Sequence, residues 1–156
     1  MNPNPVPAPN CPQNARVNEC VAMAHVLDVD HSNRFYALLG FACDSRFSGN
    51  DGLTNWCALS AGKARIFLSR ASAPVTASEQ AVLFYMYSSD VRALREHLLA
   101  QGLANAGPPP GEKPTLEPRS HTGAAVYEIV PRFYMPLGEL RVHDPDSYVI
   151  LVGQIG

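Results

Sequence analysis

The chain has 156 residues, of which 46% are hydrophobic and 17% are charged, so it carries enough apolar material for one compact domain. Its formal net charge of −2 gives no electrostatic basis for binding nucleic acid or an anionic membrane. The longest apolar runs, such as 81–87, are far too short to cross a bilayer. The composition therefore predicts neither nucleic acid nor a membrane as a partner.

Residues 1–18 are rich in proline and asparagine and show no periodicity, which predicts a disordered leader before a single domain over 19–156. The leader has no basic and apolar regions of the kind that make a secretory signal. The four cysteines form no CxxC pair and no zinc-like spacing with histidine. We therefore expect reduced thiols in a cytoplasmic protein.

The first half of the domain predicts one helix set among four strands. The helix follows Asp28 or Asp30 as its N-cap and ends at Gly40, which suits a left-handed C-cap. The turn of the last hairpin is predicted at Ala61 and Gly62. The predicted strands of this half are 20–29, 41–47, 53–60 and 63–70.

The second half repeats this order after a polar linker at 72–79. A helix is predicted over 88–102, with Ser89 or Asp90 as its N-cap and Gly102 as its end. A long loop rich in proline and glycine is predicted over 103–123, as an ordered lid or a disordered segment. The predicted strands are 82–87, 125–135 with Pro131 marking an edge or a bulge, 138–143 and 148–154.

The element order β-α-β-β-β thus occurs twice, near residues 20–71 and 81–154. The two halves share no evident sequence identity, so the repeat is one of element order alone. The prediction is an α+β fold made of two βαβββ modules.

Two stretches of sequence resemble the glyoxalase, bleomycin-resistance and extradiol-dioxygenase superfamily, also called vicinal oxygen chelate proteins. The first stretch reads VAMAHVLDVDHSNRFYALLGF over 21–41 and contains the pattern FY…LGF. The second pairs LFYMYSSDVRALREHLLAQGL over 83–103 with GELRVHDPDSYVILVG over 138–153, which looks like the closing hairpin of that family around a DPDG turn. Ser147 stands where that turn usually has glycine, which implies mild strain or a slightly different turn.

The resemblance implies two curved mixed sheets that face each other across a cleft. Metal-dependent members of the family bind a divalent ion there through His or Glu side chains. The matching positions in this chain are Val21, Leu83 (or Ala81 in a shifted register) and Leu151, and none of them can bind a metal. We therefore expect no metal and no cofactor.

Two polar residues leave an alternative open. His25 shares the strand face of Val21, so a register shift of the first strand would place it at a ligand position, with Glu139 as a further candidate ligand. A histidine beside a strand is more commonly a hydrogen-bonded structural group. Glu139 also shares a face with Arg141, and the favoured interpretation is that these two pair on the solvent side, with contact to a polar ligand as the alternative.

The candidate binding residues are mainly apolar and aromatic side chains on predicted strands, with a histidine and tyrosine hydroxyls as polar contacts. Such a mixture suits a small-molecule cleft, although the same residues could simply fill the interior of the sheets. They are Met23, His25, Trp56, Leu83, Tyr85, Tyr87, Phe133 and Leu151.

Three functions are compatible with these observations. The first is a metal-independent protein of the bleomycin-resistance type that sequesters a cationic or aromatic small molecule and acts as a homodimer, as the resemblance implies. The second is a glyoxalase-like lyase or isomerase, or a dioxygenase, which uses a metal or takes His25 or a tyrosine as its base. The third is a structural or regulatory module with a vestigial cleft. The apolar ligand positions favour the first, and the sequence leaves the ligand unidentified.

Overall fold

The computed structural model describes residues 19–76, 79, 82–110 and 123–156. The predicted leader at 1–18 and residues 111–122 of the predicted loop lie outside the described residues. The first module contains one helix and four strands. They are β1 (Ala22–Val26), α1 (Val29–Leu38), β2 (Ala42–Ser48), β3 (Thr54–Ala61) and β4 (Ala64–Arg70).

The second module repeats this plan with a divided second strand. Its elements are β5 (Leu83–Ser88), α2 (Val91–Ala100), β6 (Ala104–Asn105), β7 (Ala125–Val126), β8 (Val130–Arg132), β9 (Met135–His143) and β10 (Val149–Gln154). The strand order is β1-β4-β3-β2 in the first sheet and β5-β10-β9-β7-β6 in the second, where β8 also pairs with β9. Both sheets are mixed, because β1 and β5 run parallel to their neighbours. The predicted α+β fold of two βαβββ modules is confirmed.

Both helices begin and end at residues that the sequence predicts. Asp28 caps α1 by accepting a hydrogen bond of 2.9 Å from the amide of His31, and Asp90 caps α2 in the same way from Ala93. Gly40 follows the end of α1 with a φ of 89°. This left-handed conformation costs glycine little, and it turns the chain into β2.

The predicted strand 125–135 is wrong in its extent. It is divided into β7 and β8, and the chain turns at Phe133 and Tyr134, so that β9 begins at Met135 instead of residue 138. The register of β8 on β9 shifts between Val130 and Arg132. The intervening Pro131 has no amide hydrogen for a sheet hydrogen bond, and the predicted irregularity at this proline is confirmed.

Each sheet has one face covered by a helix and one face that carries no helix, which we call its open face. Helix α1 packs on β3 and β4, where Leu59, Ile66 and Leu68 are buried. Helix α2 packs on β7, β9 and β10. The buried residues of both modules form one continuous apolar cluster. Among the described residues, no helix is long and apolar enough to cross a membrane.

A buried polar junction joins the two modules where the β9–β10 turn meets α1. The hydroxyl of Tyr36 donates to a carboxylate oxygen of Asp144 over 3.1 Å. Asp146 accepts hydrogen bonds from the amide of Leu27 (3.3 Å) and the hydroxyl of Ser32 (3.4 Å). Both aspartates are buried, so these contacts replace water that the carboxylates lose on folding.

Candidate binding site on the open faces of the sheets

The open face of the first sheet carries three of the predicted binding residues. Met23 and His25 alternate with the buried Ala24 on β1, and Trp56 lies across β4 from them on β3. The ring of Trp56 meets the ring of Phe67 edge to face, with centroids 5.0 Å apart. Met23 is 54% exposed, so much of this face is open apolar surface.

The open face of the second sheet carries four more of them. Leu83, Tyr85 and Tyr87 alternate on β5 with the buried Phe84 and the partly buried Met86, and Leu151 of β10 is the partner of Tyr85. The rings of Tyr85 and Tyr87 lie 5.4 Å apart. Period-two alternation in the sequence thus predicts which residues share each face.

Glu139 of β9 is the polar centre of this second open face. It is only 6% exposed, although carboxylates are rarely buried without partners. Its oxygens accept a hydrogen bond of 2.8 Å from the hydroxyl of Tyr85 and one of 3.4 Å from Tyr134, and the guanidinium of Arg132 lies 3.5 Å away. The prediction that Glu139 pairs with Arg141 on the solvent side is wrong, because Glu139 is buried.

Tyr85 reaches Glu139 by crossing the strand between them. Gly153 of β10 is the sheet partner of Glu139, and a Cβ atom at Gly153 would lie 3.0 Å from the Tyr85 hydroxyl oxygen and 2.5 Å from the Cε of Met135. Any larger residue here would therefore displace these groups. Sequence reasoning missed Gly153 and Arg132, and for Gly153 the available signal was a glycine inside an apolar strand.

The tyrosine hydroxyls are held in the protonated form. Desolvation, followed by the hydrogen bond from its hydroxyl to Glu139 and the charge of that carboxylate, raises the pKa of Tyr85 to about 12. The same causes raise the pKa of Tyr134. Both side chains are therefore hydrogen-bond donors at neutral pH, and neither is suited to act as a base.

Phe133 lies apart from the other predicted residues. It is 97% exposed at the tip of the β8–β9 turn, and its ring packs edge to face on Tyr134 with centroids 4.9 Å apart. The sequence predicts that Pro131 re-aims Phe133 and Tyr134 towards the cleft. In the structure Tyr134 contacts the Glu139 cluster, whereas Phe133 presents its ring to solvent.

The positions that match metal ligands carry side chains that cannot bind a cation. Leu83 and Leu151 lie on the open face of the second sheet, Val21 precedes β1, and Ala81 lies outside the described residues. Within the described ranges, no three His, Cys, Asp or Glu side chains are grouped closely enough to hold an ion. The residues present therefore do not fit the metal centre that the family resemblance would imply.

A cavity of about 490 Å³ adjoins the first open face at the edge of β1. Met23 and His25 line it together with Tyr148 and the linker residues 71–76. The hydroxyl of Tyr148 donates a hydrogen bond of 2.9 Å to the carbonyl of His25, which ties β1 to the second module. Two predicted binding residues therefore border a space large enough for a small molecule.

No protein-family model and no curated protein matches this sequence. The fold does match solved structures. A bleomycin-binding protein in complex with bleomycin is 15% identical with a TM-score of 0.62, over 90% of this chain and 100% of that one. The bleomycin resistance determinant of transposon Tn5 is 14% identical with a TM-score of 0.64, over 88% and 98%.

A third match is a point mutant of the fosfomycin resistance protein FosX from Listeria monocytogenes, complexed with Mn(II) and a dihydroxypropylphosphonic acid. It is 10% identical with a TM-score of 0.60, over 90% of this chain and 95% of that one. All three are proteins of the superfamily that the two sequence stretches resemble. At sequence identities this low, the structural matches establish the fold of the molecule and nothing more. The chain has the fold of the glyoxalase, bleomycin-resistance and vicinal oxygen chelate superfamily.

Proposed function

We propose that this protein binds a small molecule on the open faces of its sheets without a metal, and acts by sequestering it. The observation that carries the proposal is the Glu139 cluster, in which Tyr85 and Tyr134 hold a buried carboxylate among exposed aromatic side chains. Apolar walls with a few fixed polar groups are typical of ligand sites. Bleomycin-binding proteins among the structural matches support the same class of function.

The chemistry of the site favours a planar ligand that carries hydrogen-bond donors or a positive charge. Trp56, Phe67, Tyr85 and Tyr87 offer ring surfaces for stacking, and such rings also attract cations. Glu139 offers carboxylate oxygens as acceptors. The guanidinium of Arg132 lies 3.5 Å from one of those oxygens and offsets part of the negative charge of Glu139. Attraction of a cation by Glu139 is therefore weakened, and the aromatic surface contributes to the proposed recognition.

We further propose that the protein is a homodimer, as expected from the sequence resemblance. Four apolar or aromatic residues on or beside the open faces are more than half exposed, namely Met23, Phe47, Leu83 and Tyr87. A second copy that covers part of this surface would bury apolar area and close the cleft. Light scattering at micromolar concentration should give twice the chain mass of 16.9 kDa.

A cytoplasmic location stays a prediction.

Calorimetric titration with metal-free bleomycin tests the proposed binding. We expect saturable binding, and we expect Trp56→Ala to weaken it through loss of stacking surface. Tyr85→Phe should weaken binding roughly three- to tenfold, because the hydrogen bond from Tyr85 that orients Glu139 is lost. Leu137→Ala is the control, since the exposed Leu137 lines a different cavity, together with Arg92 and Glu96 of α2.

Two results would count against the proposal. One is that neither bleomycin nor any of a panel of planar aromatic cations binds the wild-type protein. The other is that Trp56→Ala, Tyr85→Phe and Leu137→Ala bind the same ligand equally well, which would place the ligand elsewhere.

An enzymatic function is the alternative, because a Mn(II) complex of FosX shares this fold. A lyase, isomerase or dioxygenase of this type would need a metal, or His25 or a tyrosine as its base. The raised pKa of Tyr85 disfavours tyrosine, and His25 is the better base of the two. Elemental analysis of the purified protein separates the two proposals. Stoichiometric Mn, Fe, Ni or Zn, together with turnover that a chelator abolishes, would favour the enzyme over the sequestering protein.

A further inference from the structure

The two modules meet at two junctions that are related by the repeat but differ in what fills them. Each junction is formed by the turn between the third and fourth strands of one module's sheet and the helix side of the other module. At the first, the β9–β10 turn places Asp144 and Asp146 against α1 with direct hydrogen bonds. At the second, the β3–β4 turn at Gly62 and Lys63 leaves a cavity of about 530 Å³.

This inter-module cavity is lined mainly by apolar side chains. The first module contributes Leu39 and Phe41, and the second contributes Met86, Leu94, Val152 and Ile155. Binding sites for small molecules have volumes of about 300–1,000 Å³ and predominantly apolar walls. The volume of this cavity therefore suits a ligand of modest size.

The charge at the cavity is positive. Among the described residues that line it, Lys63 is the single charged one, and no acidic side chain accompanies it. The remaining polar groups are Ser88 and the two tyrosines of β5, Tyr85 and Tyr87. A ligand that fills the apolar space and directs an anionic group to Lys63 would satisfy both features.

We propose that the inter-module cavity is a second binding site, and that it takes a small amphipathic carboxylate with an aliphatic chain. The chain lies among Leu39, Phe41 and Leu94, and the carboxylate pairs with the ammonium group of Lys63. The cavity adjoins the Glu139 cluster, because Tyr85 and Tyr87 line it, but it is a different space, since neither Glu139 nor Trp56 lines it.

Titration of the full-length protein with octanoate, octanol and octylamine tests the proposal, because these probes share one chain and differ in head group. We expect octanoate to bind best, and octylamine worst. Lys63→Glu should weaken octanoate binding roughly tenfold, because an attraction is replaced by a repulsion of similar size. Arg92→Glu makes the same change in net charge on α2, away from the cavity, and should leave octanoate binding unchanged.

A second variant tests the apolar part of the site without altering charge. Ala61 lines the cavity, and Ala61→Met should fill part of it, which raises the melting temperature of the ligand-free protein and weakens octanoate binding. The proposal is overturned if octanoate does not bind, if octylamine binds as tightly as octanoate, or if Lys63→Glu and Arg92→Glu bind octanoate alike. None of these readouts depends on bleomycin binding, so this proposal and the proposed function can fail separately.

Discussion

Asp144 at the first junction makes the stability of this protein depend on pH in an unusual direction. Its carboxylate accepts hydrogen bonds from the amides of Asp146 and Tyr148, each 2.9 Å long, and from the hydroxyl of Tyr36. These contacts favour the charged form, yet the side chain is fully buried. Desolvation prevails and raises the pKa of Asp144 from 3.8 to about 7.

The sign and size of the effect follow from linkage. Between pH 4 and pH 7 the folded protein retains a proton on Asp144 that the unfolded chain has released, so the free energy of unfolding falls as pH rises. A pKa displaced from 3.8 to about 7 corresponds to on the order of 4 kcal/mol of lost stability once the pH exceeds 7. Asp146, whose pKa is also raised by burial, acts in the same direction.

Urea unfolding of the wild-type protein and of Asp144→Asn between pH 4 and pH 8 measures this contribution. The amide keeps an acceptor for the two backbone amides and cannot ionise, so the decline in unfolding free energy should be smaller by on the order of 4 kcal/mol in the variant. Asp44→Asn makes the same chemical change at an exposed site and should follow the wild-type curve. Parallel curves for the wild-type protein and Asp144→Asn would refute the reasoning.

Three further predictions concern single residues. Ser147 has a φ of 66°, so Ser147→Gly should raise the free energy of unfolding by roughly 0.5–1 kcal/mol in urea titrations, and a loss of stability would contradict this. Leu98 is fully buried on α2, and Leu98→Ala should cost about 2–5 kcal/mol in the same assay, whereas the exposed Leu137→Ala should cost less than about 0.5 kcal/mol. Burial raises the pKa of Cys57 to about 11, so this thiol should not react quickly with a disulfide reagent at pH 8. Cys57→Ala should therefore leave the number of fast-reacting thiols unchanged, and the loss of one would show that Cys57 is reactive.

Local rules predict much of this fold from the sequence. The helix caps at Asp28 and Asp90 depend on a side-chain oxygen and the next few amides, so the residue types alone identify them. The open faces of β1 and β5 follow from alternation along one strand. Ser147 adopts the positive φ that its place in a DPDG-like turn implies.

The remaining features depend on contacts between distant segments. The sequence places the β3–β4 turn at Ala61 and Gly62, one residue before its position at Gly62 and Lys63 in the structure. Residue preferences for strands and turns do not determine how two strands are aligned, so they do not fix the turn to a single residue. Glu139 gains its partners from two other segments, Tyr85 on β5 and the turn at Tyr134. No spacing along the chain shows that these residues meet, and so the cluster was visible only in the folded structure.

The Glu139 cluster also bears on the choice between binding and catalysis. A cation at this site would need several oxygen or nitrogen donors, and among the described strand residues of the second open face Glu139 is the one carboxylate. Its oxygens already accept from Tyr85 and Tyr134 and lie near Arg132, so ligating an ion would require breaking these contacts beside a positive guanidinium. The neighbouring Leu151 adds no donor. The same arrangement holds Glu139 in a fixed orientation, and a pre-oriented acceptor favours binding of a ligand that supplies the donors itself.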